Sequence, residues 1–352
     1  MIVIGIDPHK RTHTAVAVEA ATGELVDELT VPARQGGHER LLEWSRALSG
    51  ERRFALEDCR HVSGSLERLL LARGETVVRV PPKLMAGTRR SARERGKSDA
   101  IDAAAVARAA LREPGLPLAR LEGASREIRL LLDHREDLVG ERTRIQQRLR
   151  WHLHDLDPEL EIPAGALDRR VWLQRLSRRL ARLERSVQVR ICRELVTRCR
   201  ELARRADELE RELASLVSQQ APALLELPGC GVLTAAKLVA ETAGVERFGS
   251  DAKLALHAGA APLDASSGHQ RRHRLNRSGN RQLNCALHRM AVTQGRWHPP
   301  ARAYLERKQA EGKSRREALR CLKRHLARTV YNTLRTTTAT THSTALAELC
   351  LT

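Results

Sequence analysis

The chain has 352 residues, long enough for two domains and a connector, because a single hydrophobic core rarely grows beyond about 250–300 residues. Its 62 Lys and Arg outnumber 43 Asp and Glu, and this net charge of +19 makes a polyanion such as nucleic acid the first partner to consider. Aromatic residues make up only 2% of the chain, which argues against a surface that stacks single-stranded bases.

Residues 1–115 alternate short β-rich runs with helical ones. The β-rich runs are IVIGID, HTAVAVEA, ELVDELTVPA, RRFALE and TVVRVP, and helices are predicted near 36–49, near 62–73 and over SDAIDAAAVARAAL. Three strands followed by alternating helices and strands is the order of a ribonuclease-H-like α/β sheet, with one antiparallel edge and a parallel remainder. We therefore predict a mixed sheet with helices packed on it.

Four carboxylates are predicted to meet at one end of this sheet. Asp7 ends the first strand and Glu57 ends the fourth, and these two strands are neighbours in a sheet of this kind. Asp99 and Asp102 are three residues apart, which places both on one face of a helix that Ser98 can cap. Any one of these acids alone is also compatible with a turn or a helix cap.

Taken together, the four acids indicate a metal site. Like charges gathered in one place repel and destabilise the fold unless cations neutralise them. A set of oxygen ligands without His or Cys suits Mg²⁺ or Mn²⁺ rather than zinc, and two such ions about 4 Å apart suit phosphodiester transfer. Asp58 competes with Glu57, but alternation along the strand puts the two on opposite faces, and we predict Glu57 as the ligand.

Residues 116–221 form a predicted helical connector, with neither Gly nor Pro between Ala166 and Ala221. Two arrangements remain open. The first is a coiled coil between chains, and the second is an antiparallel hairpin within one chain with DPELEIPAG as its turn. Apolar residues at alternating spacings of four and three are typical of a coiled-coil seam, and they are Leu195, Cys199, Leu202, Ala206, Leu209, Leu213 and Leu216.

Residues 222–335 form a third, mainly helical region that begins with a glycine-marked turn. The run LLELPGCGVLTAAKLVAETAG predicts a helix, a tight turn and a second helix, and it resembles a helix-hairpin-helix motif. In such a turn Gly229 and Gly231 would let backbone N–H groups approach a phosphate closely. An ordinary helical hairpin with a glycine turn is the alternative.

The same region carries a dense run of arginines, followed by the basic helix KSRREALRCLKRHLAR. Guanidinium groups bind phosphate oxygens bidentately, so the backbone of double-stranded DNA or an RNA is the predicted ligand, bound more weakly as salt rises. The arginines in question are Arg271, Arg272, Arg274, Arg277 and Arg281. The Thr-rich segment 336–352 is predicted to be disordered.

Cysteine usage and hydropathy predict a cytoplasmic protein without a membrane partner. The seven cysteines include no C-x-x-C pair, and the beginning of the chain lacks the layout of a signal peptide. No run of about 18 apolar residues occurs, so we expect no transmembrane helix.

Five segments in order resemble the insertion-sequence one-ten family of transposases over roughly residues 2–335. They are IGIDPHK, ALED, KSDAIDA, LPGCGVLTAAKL and the block LALHAGAAPLDASSG followed by NRSGNRQLNCAL. Members of this family join an N-terminal RuvC-like domain with four metal-binding acids, the DEDD set, to a C-terminal transposase domain that bears a serine. The resemblance implies an enzyme of DNA transposition, and characterised relatives are guided by a structured bridge RNA.

By this resemblance, Asp7, Glu57, Asp99 and Asp102 bind the metal ions, and Ser267, which precedes Gly268, is the nucleophile. A serine hydroxyl needs activation by a base or a metal ion. Since Ser267 follows Asp102 only beyond the long helical connector, we expect an active site shared between the chains of a homodimer or tetramer. The alternatives are a metal-dependent Holliday-junction resolvase or nuclease that uses water, an architectural DNA- or RNA-binding protein, and an inactive copy of the element's enzyme.

Overall fold

The computed structural model describes residues 1–58, 60–81, 84, 98–113, 116, 118–119, 123–264, 273–276 and 279–349. The chain divides into two compact units, Met1–Leu121 and Glu122–Thr352. The first unit holds the predicted α/β region, and the second holds the helical remainder.

A five-stranded mixed sheet forms the centre of the first unit, in the order β3-β2-β1-β4-β5. β1 pairs antiparallel with β2 and parallel with β4, β2 pairs antiparallel with β3, and β4 pairs parallel with β5. The strands are β1 (Ile2–Pro8), β2 (Thr12–Glu19), β3 (Leu25–Pro32), β4 (Arg52–Glu57) and β5 (Val77–Val80). The predicted mixed α/β sheet, antiparallel at one edge and parallel in the remainder, is confirmed.

Both faces of this sheet are covered by helices. The helices are α1 (Gln35–Ala47), α2 (Arg60–Ala72) and α3 (Asp99–Arg112). Ile4 and Ile6 of β1 share one core with Leu41 of α1 and Leu66 of α2, whereas Val3 belongs to the opposite core with α3. A strand buried on both faces is apolar at successive positions, which explains the unbroken run IVIGI.

A long antiparallel helical hairpin opens the second unit. It is built from α4 (Gly123–Leu156) and α6 (Val187–Gln220), and the shorter α5 (Arg170–Ala181) precedes α6. Arg135 donates to Glu210 at 2.6 Å and Arg198 donates to Glu141 at 2.9 Å, so α4 and α6 run in opposite directions. Each helix has 34 residues and is therefore about 51 Å long.

The predicted apolar seam is buried within this chain. Cys199 and Leu202 of α6 share a core with Ile145 and Leu149 of α4. The segment 157–165, DPELEIPAG, follows α4 as predicted, and Gly165 takes a left-handed φ of 73° there. The intrachain hairpin is thus present, while a coiled coil between chains stays a prediction.

The remaining helices pack around the open end of the hairpin. They are α7 (Pro222–Leu225), α8 (Val232–Thr242), α9 (Asp251–His257), α10 (Arg281–Trp297), α11 (Pro299–Ala310) and α12 (Arg315–Leu349). Ile128 of α4 and Leu213 of α6 belong to the same core as Leu238 of α8 and Leu287 of α10. The hairpin and residues 222–335 thus share a hydrophobic core within one compact unit. A separate domain that begins at residue 222 stays a prediction.

The C-terminal helix α12 extends into the segment that is predicted to be disordered. α12 reaches Leu349 and so includes most of the segment 336–352 for which the sequence predicts disorder. Extension of an existing helix gains one hydrogen bond per residue, a cooperative effect that composition does not register.

Among the described residues, no helix is long and apolar enough to cross a membrane.

Candidate functional site

Asp7 is the centre of the candidate site, at the carboxyl end of β1. Its carboxylate is buried, and its Oδ2 atom has no hydrogen-bond partner among the described residues. Burial raises the pKa of Asp7 from 3.8 to about 6, opposed by the nearby His9 and reinforced by the charges of Asp102, Glu57 and Asp99. The three other predicted acids therefore all lie close enough to Asp7 to act on its charge.

The register of the sheet brings Glu57 beside Asp7. Ile6 of β1 pairs with Leu56 of β4, and the next residues of these parallel strands are Asp7 and Glu57. Asp58 follows outside the strand, and its backbone N–H donates to the carbonyl of Val80 at 2.9 Å. The neighbouring strand ends thus bring Asp7 and Glu57 to one edge of the sheet, as the sequence predicts.

The first turn of α3 supplies the other two acids. Ser98 is the N-cap, and its Oγ accepts the backbone N–H of Ile101 at 3.2 Å, so the predicted cap is confirmed. Asp99 is exposed, whereas Asp102 is buried. Carboxylates are stabilised at this end of a helix by its dipole, which favours two acids in this turn.

Gly5 of β1 lets α3 lie directly on the sheet. A Cβ atom at Gly5 would lie 2.1 Å from the carbonyl oxygen of Ala103 and 2.5 Å from the backbone nitrogen of Ala107. Only glycine fits this contact. The close packing brings the first turn of α3 to the end of β1, where Asp99 lies beside Asp7.

His9 joins the acids, which corrects the prediction of a site without histidine. One possible ligand atom each from Asp7, His9 and Asp99 lie within 4.8 Å of one another, and His9 Nδ1 is 3.6 Å from Asp7 Oδ2. The His9 backbone N–H donates to the carbonyl of Thr12 at 2.9 Å, in the tight turn between β1 and β2. The signal was present in IDPHK, two residues after Asp7.

This group of side chains fits a divalent cation. Asp7 offers a buried oxygen to which no described residue donates a hydrogen bond, and Asp99 and His9 offer an oxygen and a nitrogen nearby. Carboxylate and imidazole are both common ligands of divalent metals. Asp7, His9 and Asp99 could therefore hold such an ion, while Glu57 and Asp102 act on the charge of Asp7 from nearby.

The predicted nucleophile falls outside the described residues, as do three of the predicted arginines. These residues are Ser267, Arg271, Arg272 and Arg277. The described flanks of this segment are the short strands β6 (Leu263–Asp264) and β7 (His273–Arg274), which pair antiparallel. Arg274 and Arg281 are both exposed, Arg281 at the start of α10, where Asn280 caps the helix. Both are available to a polyanion.

The two predicted turn glycines have different surroundings. Gly229 has a left-handed φ of 75°, and a Cβ there would lie 3.1 Å from Thr293 Cβ of α10. Gly231 is the exposed N-cap of α8, and an added Cβ would meet no heavy atom within 4 Å among the described residues. Gly229 thus allows close packing of the turn against α10, and Gly231 leaves the N-terminus of α8 accessible. The helix before the turn, α7, has only four residues, and the helix-hairpin-helix motif stays a prediction.

Comparison with known proteins finds matches over most of the chain. A family model described as "Transposase" matches residues 4–158, and a model described as "Transposase IS116/IS110/IS902 family" matches residues 221–306. The "Insertion element IS116 uncharacterized 44.8 kDa protein" of Streptomyces clavuligerus is 29% identical, over 95% of this chain and 94% of that protein.

Two further relatives support these matches. The "Insertion element IS110 uncharacterized 43.6 kDa protein" of Streptomyces coelicolor is 31% identical, over 68% of this chain and 71% of that protein. The "Insertion element IS900 uncharacterized 42 kDa protein" of Mycobacterium paratuberculosis is 25% identical, over 94% of this chain and 95% of that protein. The similarity therefore extends through both compact units.

Proposed function

This chain belongs to the IS116/IS110/IS902 family of transposases, and from that premise we propose that it is the DNA recombinase of an insertion sequence, with divalent metal ions and a serine nucleophile. Membership of a transposase family implies an enzyme that binds, cuts and rejoins DNA. The metal set, the serine and an RNA guide are the further parts of the proposal.

One observation carries the proposal. Asp7, at the end of β1, is a buried carboxylate whose Oδ2 lacks a hydrogen bond among the described residues, and the charges of Glu57, Asp99 and Asp102 act on it. Without bound cations this arrangement lowers the stability of the fold, because like charges that lie close together repel each other. The strand order β3-β2-β1-β4-β5 is also that of a ribonuclease-H-like sheet, which supports the RuvC-like assignment.

In this proposal Asp7, Glu57, Asp99 and Asp102 hold two Mg²⁺ or Mn²⁺ ions, with His9 as a further ligand or as a proton acceptor. Such ions, when bound, supply positive charge that stabilises a phosphate during transfer. The chain's own contribution is to fix the ligands on rigid elements. Two acids lie at strand ends and two lie in a capped helical turn.

The proposed nucleophile is Ser267. Its Oγ attacks the scissile phosphorus, the bond from phosphorus to the 3′ oxygen breaks, and a phosphoserine link to DNA forms. The serine proton passes to a base or to water, and the departing oxygen becomes a 3′-hydroxyl by taking up a proton. Attack by a 3′-hydroxyl of a new partner strand then reverses the step, so the phosphodiester energy is conserved and no nucleotide hydrolysis is needed.

Trapping of the covalent link tests this chemistry. The protein is incubated with labelled element-end DNA and Mg²⁺, denatured, and examined for DNA that migrates with protein. We expect the adduct in the wild type and in Ser266→Ala, and its absence in Ser267→Ala. An adduct that persists in Ser267→Ala would assign the nucleophile elsewhere. The alternative function, a Holliday-junction resolvase or nuclease that uses water at the same acids, predicts cleavage without any adduct.

The shared active site and the RNA guide each have their own test. Mixing Asp102→Ala protein with Ser267→Ala protein is expected to restore recombination if acids and serine of different chains cooperate in a homodimer or tetramer. Failure of the mixture to recombine DNA contradicts an active site shared between chains.

Recombination that requires an RNA transcribed from the DNA flanking the gene supports the RNA guide, and full activity after ribonuclease treatment contradicts it.

A further inference from the structure

The second unit contains a cavity of about 400 Å³ that is rich in basic side chains. It is bounded by residues 259–262, by residues 274–276 and by parts of α11 and α12. Its lining includes Arg274, Lys308, Arg320, Lys323 and Arg324, and the one acidic residue among the described lining residues is Glu317.

Lys323 of α12 is a buried cation that pairs with no Asp or Glu in the part of the chain that the structure describes. Its residue is only 8% exposed, and its Nζ donates to Asn284 Oδ1 at 2.9 Å. No described carboxylate lies within 4 Å of Nζ. Burial and then the charge of Arg320 lower the pKa of Lys323, as expected for an ammonium group without a carboxylate partner among the described residues.

A second buried lysine in the same unit shows the contrast. Lys237 of α8 is 5% exposed, pairs with the carboxylate of Glu136, and donates to Gln282 Oε1 at 2.8 Å. Among the described residues, the unit thus pairs one buried ammonium group with a carboxylate and leaves the other without one. An unpaired buried charge lowers the stability of the fold, and a bound anion would offset that cost at Lys323.

The other charges around the cavity do not compensate Lys323. Glu317 accepts hydrogen bonds from the backbone nitrogen and Oγ of Ser314, at 2.9 and 2.7 Å, as a cap at the start of α12. Lys308 pairs with Glu311, and Arg324 pairs with Asp251. Among the described lining residues, basic side chains outnumber the single acid, and Lys323 and Arg274 form no ion pair there. The charge of Arg320 acts on Glu317.

We propose that this cavity binds one backbone phosphate of a nucleic acid, with Lys323 Nζ as its buried cation and Arg320 at its rim. The inference rests on the proposed function, because it assumes that nucleic acid is the substrate or guide. Pro262, which precedes β6, and Arg274, the last residue of β7, both line the cavity. The bound phosphate would thus lie beside the strands that border the serine segment, and Lys323 is a positioning residue rather than a catalytic one.

Binding measurements on full-length variants test the inference. Lys323→Met removes the charge and keeps most of the volume, Lys237→Met is the matched control, and Arg320→Ala is a second variant on the exposed rim. The probes are a fluorescent duplex DNA and a structured RNA of equal length, each titrated over a range of NaCl concentrations. Circular dichroism and thermal unfolding report whether each variant is folded.

We expect Lys323→Met to weaken binding about eightfold near 0.1 M salt and to reduce the slope of log K against log salt by about 0.9, the effect of one lost phosphate contact. Its melting temperature should be equal to or above that of the wild type. Lys237→Met should bind as the wild type does. An effect on the DNA probe alone assigns the phosphate to DNA, and an effect on the RNA probe alone assigns it to RNA.

Unchanged affinity and slope in both Lys323→Met and Arg320→Ala would overturn the inference, and binding by the wild type would still leave the proposed function standing. A wild type that binds neither probe contradicts the proposed function and the inference together. If Lys323→Met does not fold, Arg320→Ala decides the question.

Discussion

The carboxylate site of the first unit and the cation-lined cavity of the second are opposite in charge but alike in design. Asp7 is a buried anion whose Oδ2 lacks a hydrogen bond, and Lys323 is a buried cation without a carboxylate partner among the described residues. Each unit also contains a buried charge that is fully paired. Arg79 makes two hydrogen bonds to Glu67 at 2.8 and 2.6 Å, and Lys237 pairs with Glu136.

Among the described residues, Asp7 Oδ2 lacks a hydrogen bond and Lys323 lacks a carboxylate partner, whereas Arg79 and Lys237 each pair with a carboxylate. A paired buried charge needs no ligand, whereas an unpaired one is tolerated where a ligand supplies the missing sign. A divalent metal ion would provide positive charge at Asp7, and a phosphate would provide negative charge at Lys323.

The largest expected effect is on catalysis by the first unit. Asp7→Asn keeps the shape of the side chain but removes its charge. We expect the rate of strand cleavage to fall by at least roughly a hundredfold, because loss of a residue that only hydrogen-bonds to a metal ligand already costs about 10- to 100-fold in activity or metal affinity. Cleavage of a supercoiled plasmid carrying an element end measures it. Asp58→Asn, at a neighbouring acid, should remain active; equal losses in both variants would contradict the assignment.

Without metal, the same variant should be more stable than the wild type. The pKa of Asp7 rises from 3.8 to about 6 in the fold, so the stability it contributes is fully present below pH 3.8 and is lost as pH rises through 6. Asp7→Asn lacks this loss, and its advantage should reach about 3 kcal/mol above pH 7 and vanish toward pH 4. Urea unfolding in EDTA across this range measures the difference. A variant that is less stable at pH 7.5 would sink the idea.

Divalent ions should remove that difference. A ligand that binds only the folded state at roughly 100 times its Kd stabilises by about 2.7 kcal/mol. We therefore expect Mn²⁺ to raise the melting temperature of the wild type and to have little effect on Asp7→Asn, by differential scanning fluorimetry at constant ionic strength. Equal stabilisation of the two proteins would show that the ion binds elsewhere.

The smallest expected effects come from the two buried lysines, and they have opposite signs. Lys323→Met removes an unpaired buried charge and should raise the free energy of unfolding by about 1 kcal/mol, or about 2–4 °C in melting temperature. Lys237→Met leaves the partly exposed Glu136 without its partner and should lower the stability by a similar amount. Thermal unfolding in low-phosphate buffer measures both. A loss of stability in both variants would remove the contrast.

The sequence predicts where the four acids lie in the fold because the signals for their placement are local, and their role as metal ligands stays a prediction. Asp7 and Glu57 stand at strand ends, and Asp99 and Asp102 stand in a helical turn capped by Ser98. His9 was missed because its place beside Asp7 depends on the backbone turn between β1 and β2. The role of Gly5 also depends on a contact between distant parts of the chain, which no periodicity records.

The cavity of the second unit was less accessible to prediction. In KSRREALRCLKRHLAR every basic residue looks alike, and only packing against α10 separates the buried Lys323 from the exposed Arg320. The heptad pattern of α6 likewise specifies an apolar seam but not which helix covers it. That helix turned out to be α4 of the same chain.

The contact at Gly5 makes the geometry of the carboxylate site depend on a residue that carries no functional group. A single methyl group there would force α3 away from β1, since it would lie 2.1 Å from the Ala103 carbonyl oxygen. Gly5→Ala is thus expected to act as a mechanical disconnection, with every carboxylate still in the chain but Asp99 moved away from Asp7. Loss of stabilisation by Mn²⁺ in a folded Gly5→Ala protein would reveal it, and such a variant would separate the arrangement of the charges from their number.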